Sequence, residues 1–163
     1  MKKLMLMRHA KSSWSDFGTS DFDRELNARG MQDAPEMGRR LVAKAMVPDA
    51  FLVSTARRAR ATANLMVPEL GFSVENIQFK DELYLASPAE MLKLIRQTSD
   101  HVQTLALLAH NPGITELTNR LAKTWINNIP TCGVAVLQFQ IEQWQNIDNH
   151  AELLDFDYPK RVS

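Results

Sequence analysis

The chain of 163 residues has a single cysteine, Cys132, which excludes an intramolecular disulfide. That usage is compatible with a reducing cytoplasm, the expected location. Charge of one sign is also lacking: 19 Lys and Arg stand against 19 Asp and Glu, a formal net charge of +0. No global field then draws the protein to nucleic acid or to an acidic membrane, and any attraction for anions has to be local. Long apolar runs are missing as well, since nothing approaches the roughly 20 residues of a membrane span. Met1-Lys2-Lys3 followed by Leu4 to Met7 looks like the start of a signal peptide, but Arg8, His9 and Lys11 interrupt it. An h-region needs about 7–15 apolar residues. Internal repeats, low-complexity tracts and Gly/Ser linkers are absent too, so one domain spanning residues 1–163 is expected. The four histidines are scattered, with no His-x3-His or paired-carboxylate spacing, which argues against a metal site.

What is present is a regular alternation. With 45% hydrophobic residues the chain can bury a proper core. Short apolar runs alternate with helix-like stretches, which points to an α/β fold. The runs predict strands at Lys3–Met7, Ala50–Val53, Asn76–Lys80, Thr104–Ala109 and Gly133–Ile141, with Ala151–Phe156 as an added edge strand. Thr104–Ala109 is apolar on both sides, as a strand covered on two faces would be. Asn27 caps a segment in which Met31, Ala34, Gly38, Leu41, Val42 and Ala45 recur at spacings of three and four. Pro35 lies inside that pattern, so the helix either starts late or kinks there. Ser87-Pro88-Ala89-Glu90 has a cap serine, a first-turn proline and a glutamate at capping-box spacing, ahead of Met91, Leu92 and Ile95. Ile114, Leu117, Thr118 and Leu121 mark a further helix just after Asn111-Pro112-Gly113, whose N-terminus would aim backbone N–H groups toward His110. Met5, Met7, Met31 and Met37 are expected in the core.

Three of the strand ends deliver cations or imidazoles: Arg8-His9, Arg57-Arg58 after Phe51–Ser54, and His110 after Leu105–Ala109. In open α/β sheets ligands bind outside the carboxyl ends of the strands, so the three can meet in one pocket. Such a pocket suits phosphate, which carries a charge of about −1.5 to −2 at neutral pH and matches the planar fork of arginine. A neutral imidazole between guanidinium groups is a nucleophile whose protonation its neighbours disfavour. The same cations stabilise charge on the equatorial oxygens in a phosphoryl-transfer transition state.

These residues resemble a known family. Leu6-Met7-Arg8-His9-Ala10, Ser54-Thr55-Ala56-Arg57-Arg58-Ala59 with Thr62-Ala63, and Ala109-His110-Asn111-Pro112 are similar to the three separated motifs of the histidine phosphatase superfamily. Asp23-Arg24-Glu25-Leu26-Asn27-Ala28-Arg29-Gly30, Glu82-Leu83-Tyr84 and Asp157-Tyr158-Pro159-Lys160 extend the match over nearly the whole chain, which resembles the SixA-type phosphohistidine phosphatases. The resemblance implies a phosphoglycerate mutase-like, three-layer α/β sandwich with a mainly parallel central sheet flanked by helices. It implies that His9 is the nucleophile, transiently phosphorylated. Arg8 and Arg58 would clamp the phosphoryl oxygens, with Arg58 standing four residues after Ser54, and His110 would donate to them. Arg24 would help at the pocket rim, with Lys11 and Asn111 as further substrate-binding candidates. Glu82 stands near the position of the acid that protonates an alkoxide in many relatives; an imidazole leaving group needs a strong acid less. Ala10 replaces the usual glycine and Thr55 a common proline. No cofactor and no metal are implied. The partner would be a phosphohistidine-bearing protein or a small phosphorylated substrate, with neither nucleic acid nor membrane involved. A broad small-molecule phosphomonoesterase or mutase using the same pocket is the alternative, and a catalytically silent phosphoprotein-binding module is another.

Plainer readings stand beside these. Arg57-Arg58-Ala59-Arg60 also reads as a solvated helix face or a nucleic-acid patch, although no aromatics interleave it. Arg24 and Arg29 also read as ion-pair partners for Asp21, Asp23 and Glu25. His101 and His150 match nothing and are expected at the surface. Cys132 lacks the Cys-x5-Arg loop of a cysteine phosphatase, because Phe139 follows Val134–Gln138.

Overall fold

The computed structural model describes residues 1–14 and 18–161. Six strands form one sheet: β1 (Lys2–Arg8), β2 (Ala50–Ser54), β3 (Ile77–Lys80), β4 (Thr104–Ala109), β5 (Val134–Phe139) and β6 (Glu152–Asp157). Four helices alternate with them: α1 (Ala28–Ala43), α2 (Arg57–Met66), α3 (Pro88–Arg96) and α4 (Gly113–Ala122). The strand order is β3-β2-β4-β1-β5-β6. The β3–β2, β2–β4 and β4–β1 pairs are parallel, whereas β5 runs antiparallel to both β1 and β6. The sheet is thus mainly parallel, and every strand lies within a residue or two of its predicted place.

Alternation along each strand divides the core. Met5, Met7, Phe51, Val53, Ala106 and Leu108 pack against Ala34, Met37, Leu41, Ala59, Ala63 and Met66 of α1 and α2. Leu4, Leu6, Leu52, Leu105 and Leu107 face the other way, against Leu92 and Ile95 of α3 and Ile114, Leu117 and Leu121 of α4. The result is the expected three-layer sandwich. Each fully buried side chain of this kind contributes about 1.5–3 kcal/mol.

The caps act as the sequence indicates. The Asn27 side chain accepts from Gly30 N, and Ser87 and Glu90 close a capping box with proline in the first turn. Helix α1 runs from Ala28 through Pro35, so it does not start late. Its buried stripe is Gly30, Asp33, Ala34, Met37, Gly38 and Leu41, whereas Met31 is 53% exposed, Val42 45% exposed, and Ala45 lies beyond the helix end. Ala34, Gly38 and Leu41 thus lie where expected, and Met31, Val42 and Ala45 are corrected: Gly30 and the paired Asp33 occupy the packed face, and neither gives a hydrophobic signal. Gly38 is required there, since a Cβ would lie 2.9 Å from the Met66 carbonyl oxygen.

Helix α2 carries the Arg57–Arg60 run. Arg57 and Arg60 are exposed, but Arg58, Ala59, Thr62, Ala63 and Met66 are buried, so the segment is not a wholly solvated face. His101 and His150 are exposed, as expected. Cys132 is buried, and desolvation pushes its thiol well above its usual pKa, which disfavours a thiolate nucleophile. Among the described residues no helix is long and apolar enough to cross a membrane.

Candidate active site

The register of the sheet sets the site. Arg8 at the end of β1 lies opposite Ala109 at the end of β4, so His9 and His110 leave the sheet side by side. Their ring centroids are 5.2 Å apart. Strand β2 flanks β4, and the turn that follows it starts α2, which brings Arg58 to the same edge.

Three backbone bonds pin His9: its N–H donates to Ala109 O at 3.2 Å, its carbonyl accepts from Cys132 N at 2.9 Å, and Arg8 N donates to Gly133 O at 3.0 Å. Nδ1 lies 2.7 Å from the Ala10 carbonyl oxygen. A carbonyl only accepts, so Nδ1 carries the proton and Nε2 presents its lone pair. Arg58 Nε donates to that Nε2 at 3.3 Å. Burial holds the His9 pKa well below its ordinary value; the Ala10 bond opposes this, while His110, Arg58 and Arg8 reinforce it. The ring is neutral at neutral pH. Thr62 fastens the next residue, accepting from Ala10 N at 2.9 Å and donating to Arg58 O at 2.7 Å.

Burial, followed by the Arg58 charge, depresses the His110 pKa to about 3. Its Nε2 lies 2.7 Å from Ser54 Oγ, which accepts from Ala56 N at 3.3 Å. Among the described residues His110 Nε2 is the one acceptor bonded to the buried Ser54 hydroxyl, whose hydrogen would otherwise go unpaired, so the hydroxyl donates there and Nδ1–H is directed away from Ser54. The edge of Tyr84 packs 5.6 Å from this ring.

Asp21 organises the arginines. Arg58 donates from Nη1 to Asp21 O at 2.7 Å and from Nη2 to Asp21 Oδ2 at 3.1 Å, and the Tyr84 hydroxyl donates to the same Oδ2 at 2.5 Å. Arg24 Nε is 3.3 Å from Asp21 Oδ1. Partial burial pushes the Asp21 carboxyl up, but the Tyr84 hydroxyl and the two guanidiniums outweigh this and hold it below the usual carboxylate value. The Arg24 guanidinium also stacks on Trp14, with Cζ 3.3 Å from the ring centroid. A cavity of about 330 Å³ opens here between Trp14, Asp21, Arg24 and Arg57.

Among the described residues, the buried side-chain polar atoms without a hydrogen bond are Arg8 Nε, Arg24 Nε, Arg24 Nη1 and His110 Nδ1, of which Arg24 Nε is ion-paired with Asp21. Orphaned buried polar atoms are rare and costly. Here all belong to the residues predicted to bind a phosphoryl group.

His9, Arg8, Arg58, His110 and Arg24 are thus assembled, and three other predicted residues are not. Glu82 is exposed in the turn Asp81–Leu83, and its side chain makes no ion pair or hydrogen bond among the described residues. The Lys11 side chain faces a different cavity. Asn111 is occupied structurally: Nδ2 donates to Asn128 Oδ1 and Ile129 O, while Oδ1 accepts from Thr115 N and Oγ1. Those bonds, with Ile114 N donating to His110 O, also use first-turn N–H groups of α4 that were expected to face an anion. Of the plainer pairings, Arg24 does meet Asp21, but Arg29 pairs with Asp33 and Glu25 with Arg57. Sequence reasoning quoted Ser54, Thr62 and Tyr84 within the matching motifs without assigning them a role, and read Asp21 only as an ion-pair partner of Arg24 or Arg29. Ser54 and Thr62 had a signal in their spacing from Arg58; Asp21 had none beyond its distance of three residues from Arg24.

The comparisons agree with this geometry. The family model described as histidine phosphatase superfamily (branch 1) matches residues 4–84. An uncharacterised protein of Mycobacterium tuberculosis (strain H37Rv) is 33% identical over 165 residues, covering 94% of this chain and all of the relative. A candidate phosphohistidine phosphatase, SixA from Agrobacterium tumefaciens, superposes with a TM-score of 0.81 at 30% identity, over 97% of this chain and 99% of that one. The protein histidine phosphatase SixA complexed with tungstate shares the fold, with a TM-score of 0.81 at 18% identity over 96% of this chain and 97% of that one. Three elements far apart in sequence place the paired imidazoles and arginines at one sheet edge, in a chain akin to these proteins from end to end: it belongs to the histidine phosphatase superfamily (branch 1).

Proposed function

We propose that the protein is a phosphohistidine phosphatase working through a phospho-His9 intermediate. The observation that carries this reading is the His9 ring itself: Nδ1–H is tied to Ala10 O, and the unprotonated Nε2 presents a lone pair on which only Arg58 Nε rests, at 3.3 Å, among the described residues. Nε2 attacks phosphorus, the bond from phosphorus to the substrate imidazole nitrogen breaks, and that nitrogen takes up a proton. Water then attacks the phosphorus of phospho-His9, releasing inorganic phosphate and restoring Nε2. Arg8, Arg58 and Arg24 balance the charge of the transferring group, and His110 Nδ1–H donates to it. Asp21 positions Arg58 and Arg24, and Ser54 fixes the His110 tautomer.

The likeness to SixA of Agrobacterium tumefaciens supports phosphohistidine as the substrate class. So does the unpaired, exposed Glu82, because expulsion of an imidazole depends less on a strong acid than expulsion of an alkoxide. The reading treats residues 1–163 as one catalytic domain whose charge stabilisation comes from arginine rather than a metal.

Phosphohistidine peptides, sugar phosphates and an aryl phosphate assayed side by side with chelator present test it. The expected result is the highest specificity constant for phosphohistidine, an acid-labile phosphate trapped on the wild type, and no turnover by His9→Ala. Unchanged activity in that variant would eliminate the mechanism, and a preference for phosphoesters would eliminate the substrate class.

A further inference from the structure

We propose that a second, cationic pocket beside the catalytic one receives an acidic side chain of the phosphohistidine-bearing protein, an inference that rests on the function proposed above. The pocket is a cavity of about 260 Å³ whose walls include Lys11, Arg29, Asp33, Thr131, Tyr158 and Lys160. It gathers the terminal Tyr158-Pro159-Lys160 motif, which the catalytic cluster does not use. Lys11 and Lys160 make no side-chain hydrogen bond or ion pair among the described residues. Arg29 spends only Nε, on Asp33 Oδ1 at 3.1 Å and Oδ2 at 3.2 Å, so both terminal nitrogens remain available. Three cations therefore face one carboxylate that is already engaged.

The walls stand on fixed backbone. Asn27 N donates to Lys11 O at 3.0 Å, and Gly30 packs against that same carbonyl. At the opposite wall, Arg40 donates to Tyr158 O at 3.0 Å and Pro159 O at 2.9 Å, and Arg161 N donates to Tyr158 O at 2.9 Å. The turn that presents Lys160 is thereby tied to α1.

The position relative to His9 selects the occupant. Lys11 follows His9 by two residues, roughly 7 Å of extended chain. On the other flank Thr131 precedes Cys132, whose N–H holds the His9 carbonyl. Exposed lysines hold a free small anion only weakly, because water and salt screen them. An anion covalently attached to a substrate already engaged at His9 binds intramolecularly, and the same weak contacts then count through effective concentration. A carboxylate two or three residues from the phosphohistidine meets that condition.

Two phosphohistidine peptides test this, alike except for Glu or Gln at the second and third residues beyond the phosphohistidine. Wild type is expected to process the Glu peptide about fivefold to tenfold more efficiently in kcat/KM at low salt, with the advantage lost at high salt. Lys160→Gln should reduce that advantage about threefold, and Lys160→Glu should reverse it, with the Gln peptide unaffected. Equal wild-type rates for the two peptides, or a Lys160→Gln defect shared by both, would overturn the proposal. Tight binding of free inorganic phosphate to Arg58→Ala protein, lost on adding Lys160→Gln, would assign the pocket to a small anion instead. Titration with the unphosphorylated peptides, followed by the amide resonances of Thr131 and Lys160, reads the pocket without turnover. Shifts with the Glu peptide alone support it even if the catalytic reading fails, and their absence refutes it.

Discussion

Ser54→Ala isolates the hydroxyl that sets the second imidazole. Ser54 is fully buried and bonded on two sides, to His110 Nε2 at 2.7 Å and to Ala56 N at 3.3 Å. Alanine removes both bonds and leaves two buried polar groups unpaired. Each intramolecular bond contributes about 0.5–1.5 kcal/mol net, and an orphaned buried group costs about 1–3 kcal/mol. Local relaxation recovers part of this, so a loss of about 2–3 kcal/mol in unfolding free energy is expected. The catalytic effect is separate. With Ser54 gone, no group among the described residues remains bonded to Nε2 to hold the proton on Nδ1, and part of the population loses the donor proposed to serve the phosphoryl group. Deleting such a donor outright costs roughly 10²–10³ in rate; loss of the bias alone should lower kcat/KM about 10- to 100-fold. Urea denaturation gives the stability, steady-state kinetics give the rate, and ¹⁵N shifts of the His110 ring report the tautomer. The tautomer readout separates this role from simple destabilisation. Full activity with an unchanged ¹⁵N signature would refute the relay from Ala56 through Ser54 to His110.

Two other outcomes follow from the same geometry. The folded-state pKa values of His9 and His110 lie below the ordinary imidazole value, so below about pH 6.5 the unfolded chain binds protons that the folded chain does not. Stability should therefore fall with decreasing pH from about 6.5 toward 3, His110 alone contributing a loss of about 1.6 kcal/mol between pH 6.5 and 5 and His9 adding to it in the same direction. The acid limb of kcat/KM should also lie well below 6.5; a limb at or above that value would contradict a neutral, buried His9. Gly30→Ala places a Cβ 2.2 Å from Lys11 O, backbone that cannot swing aside. A loss of about 1–3 kcal/mol in denaturation is expected, with reduced kcat/KM because Lys11 adjoins the carbonyl that orients His9; a neutral outcome would rule out the close approach of α1.

Much of this molecule is legible in its sequence because hydrophobic periodicity and cap chemistry are local. Thr104–Ala109 is a strand at its predicted limits, and the Ser87 capping box starts α3 as its spacing requires. Where packing depends on residues with no hydrophobic signal, the reading fails, as at Gly30 and Asp33 of α1. Asn111 shows the same limit from the polar side. An amide after a strand is chemically suited to bind substrate, and only its four hydrogen bonds reveal that it fastens the 128–129 loop to α4.

Residue types and their order alone determined that the chain is α/β and that its strand ends carry paired imidazoles and arginines, a set suited to a phosphoryl group. Tertiary structure decided which nitrogen of His9 is unprotonated, that Asp21 clamps Arg58 and Arg24, and that Lys11 and Lys160 line one separate cavity. A ring's proton goes to whichever acceptor lies within about 3 Å, and a charge is spent or available according to its neighbours. Those distances arise only when segments a hundred residues apart are packed against one sheet edge.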